Sequence, residues 1–292
     1  MRILITADLH YDLPRSKPAV KVLAEKVLHI GADALVLLGD SAGADYRMFR
    51  ECLNLFAGFT GEKFLVPGNH CLWCLPGESS LERYEKTLPA VAAEAGFTVL
   101  DHRPVAIDGC GFVGSIGWYD YSFREERLGI PLEFYLAKVS PGAAARLEEY
   151  RELVERHRDH LADRQYNIVA RWMDGLYVKL GMTDEQFLEY LLGKFRRQLE
   201  VFQADNRVER IVVFMHHLPF RRLLPENRPD KFAFAAAYLG SERFGEVLRQ
   251  YPKVTDVFCG HSHWYASCYV GNIRAVNVGS RYTHKRIEVL EI

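Results

Sequence analysis

Five short polar strings, each set directly behind an apolar stretch, constrain this chain more than any other feature. RILITA runs into Asp8-Leu9-His10, ALVLLG into Asp40, and KFLVPG into Asn69-His70. IVVFM runs into His216-His217, and VTDVFCG into His261-Ser262-His263. Strands that end at one edge of a sheet would deliver all five strings to one place. Asp, His and Asn gathered together are the ligand chemistry of a divalent-metal site.

The rest of the chain supports an α/β reading. Residues 2–7 read as a buried strand. Residues 18–30 read as a helix, with Pro18 suited to its first turn and Gly31 to its end. ADALVLLGD and KFLV are further strands, and 46–57 a short helix between them. LERYEKTLPAVAAEAG is helical and closes on Gly96, with Pro89 expected to kink or split it. FTVL, PVAI and CGFVGSIG read as short β runs up to residue 117. RIVVFM, a helix over SERFGEVLRQ, and the runs TDVFCG, WYASCYV, IRAVNV and RIEVLEI resume the pattern later.

Residues 118–205 break the alternation. They open on Trp118-Tyr119-Asp120-Tyr121 and then turn helical. Leu147, Tyr150, Leu153, Val154, His157 and Leu161 form a stripe that predicts a helix within 143–170. A second helix is expected from Thr183, whose hydroxyl can cap it while Gln186 reaches back. It carries Phe187, Tyr190, Leu191, Phe195 and Leu199. The chain therefore reads as a single domain over 1–292 with a helical insertion or cap at about 118–205.

Composition excludes several classes. The 292 residues are 49% hydrophobic and 26% charged, an ordinary globular balance. A net charge of −1 leaves no global basic footprint for nucleic acid. No apolar run approaches the roughly 20 residues of a membrane span, and Asp8 interrupts the first apolar run too early for a signal peptide. A cytoplasmic location is the expectation. Six cysteines in a chain this long do not form a disulfide framework. Cys71 and Cys74 make a lone CxxC with no second pair to complete a zinc ribbon.

Taken in order, the five strings resemble the pattern of the calcineurin-like metallophosphoesterase superfamily: D-x-H, GD, GNH, a histidine, then GHxH. The resemblance spans nearly the whole chain. It implies a four-layer αββα fold, a two-sheet β sandwich flanked by helices, with two metals at the strand ends. By that resemblance Asp8, His10, Asp40 and His263 hold one metal, and Asp40, Asn69, His216 and His261 the other. Asp40 bridges the two, as cations about 3.5–4 Å apart require a shared anion. Mixed Asp, His and Asn ligands suit Mn²⁺, Fe or Zn²⁺.

The expected function is hydrolysis of a phosphomonoester or phosphodiester. A metal-bridging hydroxide would attack phosphorus, and His70 would act as general acid on the leaving oxygen. The family has an acidic residue after GNH where this chain has Cys71, which leaves His70 without that support. His217, Arg221, Trp118 and Tyr119 are candidate contacts to a small phosphoester substrate, set against packing or solvated-loop roles for each. A nuclease is the alternative enzyme, disfavoured by the neutral charge. A Ser/Thr protein phosphatase is disfavoured because GDSAGAD and GNHC replace GDxxDRG and GNHE. A metal-free scaffold of the same fold is disfavoured because every expected ligand residue is present.

Overall fold

The computed structural model describes residues 1–226 and 228–292. Eleven strands form two mixed sheets among these residues. The first contains β1 (Arg2–Thr6), β2 (Ala34–Leu38), β3 (Glu62–Val66), β4 (Thr98–Val99) and β11 (Glu288–Glu291), in the order β11-β1-β2-β3-β4. The second contains β5 (Val105–Ile107), β6 (Cys110–Ser115), β7 (Arg210–Met215), β8 (Val254–Cys259), β9 (Ala266–Val270) and β10 (Ile273–Asn277), in the order β5-β6-β7-β8-β10-β9. Strands β1 to β4 run parallel, as do β6, β7, β8 and β10, while β11, β5 and β9 are antiparallel edges.

The apolar runs of the sequence are continuous because both faces of the central strands are covered. Ile3, Ile5, Val36, Leu38 and Phe64 point inward and meet Phe112, Val212, Phe214, Phe258 and Val276 from the other sheet. The alternate residues Leu4, Leu35, Leu37 and Leu65 point outward and join a second cluster with helix residues. That period of two places one helical layer outside each sheet and yields the four-layer sandwich.

The helices bear out most of the sequence reading. Helix α1 (Lys17–Ile30) buries Val20, Leu23 and Val27. Helix α2 (Tyr46–Asn54) is capped by the Asp45 side chain. The stretch around Pro89 is split as expected: a π-helical segment at Arg83–Thr87 precedes α3 (Leu88–Glu94). Proline removes one helical N–H, and the wider turn absorbs the mismatch. Thr183 and Gln186 form the anticipated capping box at the start of α4 (Asp184–Ala204). Helix α4 packs against β6 and β7, so it forms part of the outer layer of the second sheet. Helix α5 (Glu242–Leu248) precedes β8.

The helix expected within 143–170 is not continuous. Short helices at Pro141–Ala144, Arg151–Arg156 and Asp163–Tyr166 replace it. Ser140 N–H donates to the Ala170 carbonyl and Gly142 N–H to that of Ile168. A straight helix of that length would hold its ends roughly 40 Å apart, whereas these bonds bring them together. No helix among the described residues is long and apolar enough to cross a membrane.

Candidate metal centre

Asp8, Asp40, Asn69, His216 and His261 all follow the carboxyl ends of parallel strands β1, β2, β3, β7 and β8. Backbone bonds join these strand-end loops. Asp8 N–H donates to the Gly39 carbonyl at 3.2 Å and His10 N–H to that of Asp40 at 2.7 Å. The Asp8 carboxylate accepts from His261 N–H at 3.0 and 3.1 Å, tying the first loop to the last. Asp8, His10, Asp40, His261 and His263 all adopt left-handed φ between 44° and 71°. The turn off each strand is therefore sharp, and Asp and His tolerate it better than most residues. Two glycines are obligatory for close approach: a Cβ on Gly68 would lie 2.2 Å from Asp40 Oδ1, and one on Gly39 would lie 2.3 Å from His216 Nδ1.

Besides His10, Asp40 and His70, whose ligand atoms also lie within 4.8 Å of one another, the side chains form two groups around Asp40. Asp8, His10 and His263 bring ligand atoms within 4.8 Å of one another, and so do Asp40, His216 and His261. Asn69 joins the second group, with its Oδ1 3.2 Å from His216 Nε2. Asp40 Oδ2 lies 3.4 Å from His216 Nε2 and 3.7 Å from His10 Nε2, between the groups. Its other oxygen accepts from His70 N–H at 2.9 Å.

The donor set fits two cations. His10 Nε2 and His263 Nε2 face each other at 3.0 Å. His216 donates through Nδ1 to the Leu38 carbonyl, which points Nε2 at the Asn69 oxygen. Acceptors facing each other in a buried place call for positive charge between them. The titration behaviour of His10, His261 and His263 agrees. Burial and the neighbouring histidines hold His10 and His261 well below the usual imidazole range, and burial pulls His263 down to about 3. Neutral imidazole is the ligating form. Burial opposes charge on His216 too, but Asp40 and Asp8 outweigh it and raise it to about 9. Burial raises Asp8 to about 7, helped by Asp40. Asp40 is held well below the carboxylate range because His216 and His70 outweigh its burial.

His70 sits on the wall of a cavity of about 480 Å³ that opens onto this cluster. Its ring stacks on Trp73 at 3.7 Å, and its Nε2 lies 3.9 Å from Asp40 Oδ2. Cys71 is fully buried, and burial beside Asp40 raises its thiol to about 11, so it offers His70 no negative charge.

The other substrate candidates lie elsewhere. His217 is buried behind His261, its ring 4.3 Å away, and belongs to neither ligand group. Its Nδ1 donates to the Ile116 carbonyl, while its buried Nε2 has no partner among the described residues. Trp118 and Tyr119 are fully buried and stacked on each other at 4.8 Å, so they do not line the cavity. Trp118 donates to Asp184 at the start of α4, which explains its burial. Arg221 is tied to the Ser122 and Phe123 carbonyls and faces a different cavity, with Arg222 and Arg228.

Residues that the motifs do not reveal complete the site. Arg171, Trp172, Met173 and Asp174, from the segment between β6 and β7, line the cavity with Tyr282 from the last loop. Arg83 is buried and donates to the carbonyls of Cys71, Gly43 and Ala44, clamping the loops after β2 and β3. Asp174 and Trp172 carried no local signal.

Residues 1–137 match the family model described as calcineurin-like phosphoesterase. The first 137 residues are thus similar to this family. A phosphopantetheinyl hydrolase from Mycobacterium tuberculosis shares the fold, with 20% identity, a TM-score of 0.68, and coverage of 98% of this chain and 95% of that one. A dimetal phosphatase from Danio rerio aligns at 16% identity and a TM-score of 0.55, covering 99% and 91%. At such identities the likeness concerns the fold. No curated protein matches the sequence. The protein is accordingly a hydrolase of phosphoric esters with a metal-binding cluster.

Proposed function

We propose that this protein is a dinuclear metallophosphoesterase that cleaves a small phosphoester with an extended organic arm. The observation that carries the reading is Asp40, whose carboxylate lies between two sets of buried, largely neutral ligands. Asp8, His10, Asp40 and His263 would hold one divalent cation, and Asp40, Asn69, His216 and His261 the other. Mn²⁺, Fe and Zn²⁺ all suit such a donor set. When bound, such a pair supplies an activated water nucleophile and neutralises phosphoryl charge.

The chain's own residues do the rest. His70 faces the cavity with about a fifth of its side chain exposed, and among the described residues its imidazole has no hydrogen bond to another side chain, so it can give a proton to the leaving oxygen. Trp73 beneath it fixes the ring plane. Trp172 and Tyr282 wall the cavity and limit bulk water around the reacting group.

The surroundings favour a small ester over a nucleic acid. A second cavity of about 600 Å³, lined by Val169, Phe234 and Tyr238, shares Arg171, Trp172, Phe232 and Ala235 with the first. Its walls suit an apolar arm rather than a charged polymer. The phosphopantetheinyl hydrolase of the same fold makes phosphopantetheinyl esters one class to assay. Parallel assays on an aryl phosphomonoester and an aryl phosphodiester, with metal analysis of the same sample, test the reading. Two divalent ions per chain and turnover of at least one ester are expected. Metal-loaded protein inactive on both would overturn it.

A further inference from the structure

Asp174 lies on the inserted segment, far from every motif in the sequence, yet its carboxylate is fully buried beside the metal ligands. Four donors converge on it. Oδ1 accepts from Asn69 Nδ2 at 2.9 Å and from Trp73 Nε1 at 2.8 Å. Oδ2 accepts from Trp172 Nε1 at 2.8 Å and from the Tyr119 hydroxyl at 3.2 Å. An ionised carboxylate has about four acceptor positions, and this set occupies them.

The Asn69 contact has a chemical consequence. An asparagine amide can sit either way round, and only its oxygen can bind a cation. Asp174 accepts and cannot donate when ionised, so it captures the NH₂ group. The oxygen is thereby turned towards His216 Nε2, 3.2 Å away. The same carboxylate oxygen holds the indole of Trp73, on which His70 is stacked.

We propose that Asp174 is a positioning residue of the metal centre. It selects the ligating orientation of the Asn69 amide and fixes the platform beneath His70. The inserted segment is on this view a structural part of the centre as well as a wall above it. The proposal rests on the dinuclear reading above.

Calorimetric titration of metal-stripped protein with Mn²⁺ tests it. Two binding events are expected in the wild type. In Asp174→Asn one keeps its affinity and the other weakens about 10–100-fold, the usual cost of losing an outer partner of a ligand. Asn69→Ala should weaken the same event, and Asp174→Asn added to Asn69→Ala should then cost less than about threefold more, since the two act as one unit. Full multiplication of the two effects, unchanged affinities, or equal weakening of both events with a lowered Tm would overturn the proposal. Trp73→Phe gives a second route should Asp174→Asn fold poorly. It should leave both Mn²⁺ affinities within about threefold yet slow alkyl esters more than nitrophenyl esters. Equal slowing of both ester types, or loss of a Mn²⁺ event, would count against the platform. A folded wild type that takes up no Mn²⁺ would sink the dinuclear reading itself. Two normal events with an unaffected Asp174→Asn would sink only this inference.

Discussion

The two halves of the metal cluster are braced in opposite ways. Asn69, His216 and His261 are buried, and a fixed partner holds the far side of each: Asp174 for Asn69, the Leu38 carbonyl for His216, the Tyr238 carbonyl for His261. Behind them Trp172 stacks flat on Tyr238 at 4.9 Å. Around Asp8, His10 and His263 the support is looser. His10 Nδ1 has no partner among the described residues, and His263 keeps about a fifth of its side chain exposed. Tyr282 lies 5.1 Å from the His10 ring and 4.9 Å from that of His263, with the Arg15 guanidinium on its face. One half is organised by the folded core before any cation arrives. In the other, Asp8 and His10 are equally buried, but His263 and the Tyr282 ring form an edge that reaches solvent. Second-layer changes should therefore cost stability and affinity in the buried half, and turnover in the open half.

Asp40 belongs to both halves, so its removal should have the largest effect. Asp40→Ala is expected to lose at least one bound metal and all measurable turnover, checked by metal content after gel filtration and by aryl phosphate hydrolysis. Turnover near the wild-type rate would dismantle the two-group description. Next in size is His70, which stands at the cavity wall beside Asp40. His70→Ala should slow alkyl esters by about 10²–10⁴-fold and nitrophenyl esters much less, because a good leaving group needs little proton transfer. Equal losses on both would remove the acid role.

A direct contrast comes from Trp118→Ala and Tyr282→Ala. Trp118 is fully buried behind the closed half, so its truncation should destabilise the protein by about 3–5 kcal/mol while the folded fraction keeps its ester preference. Tyr282→Ala should do the reverse, changing KM with a much smaller shift in Tm. Denaturant unfolding and Michaelis kinetics on both variants decide the matter. Similar profiles for the two would erase the distinction between the halves.

The smallest effect concerns a buried carboxylate outside the cluster. Burial raises Asp101 to about 6, opposed by hydrogen bonds from Ile116 N–H and the Tyr84 hydroxyl. Its folded-state value exceeds the ordinary aspartate value of 3.8. Its contribution is therefore fully present below that value and is lost as pH rises through about 6. Asp101→Asn should flatten the stability profile between about pH 4 and 6 by roughly 3 kcal/mol, read from urea midpoints of metal-free protein. Parallel profiles for the two proteins would contradict it.

The motif residues were legible because each is tied to a strand end, and strand ends announce themselves as apolar runs that stop. Lys17–Ile30 and the Thr183 cap were legible for the same reason, as local patterns with local causes. The broken region before α4 was not, since short helices held by Ser140 and Gly142 carry apolar spacing without helical continuity. Trp118 and Tyr119 were visible as an aromatic cluster, but their burial depends on α4 and Asp174, which lie 55 or more residues away in the chain. Asp174 itself stands among ordinary polar and aromatic neighbours. What makes it matter is the partner it meets in space.

The left-handed backbone at Asp8, His10, Asp40, His261 and His263 has a consequence over evolutionary time. Each such residue carries about 1–2 kcal/mol of conformational strain that glycine would relieve. Selection for a heat-resistant fold, with no demand for turnover, would erode these positions first. Drift in an idle copy of this gene should therefore leave the sandwich intact and empty its rim, so that what persists longest is the scaffold and what vanishes soonest is the chemistry.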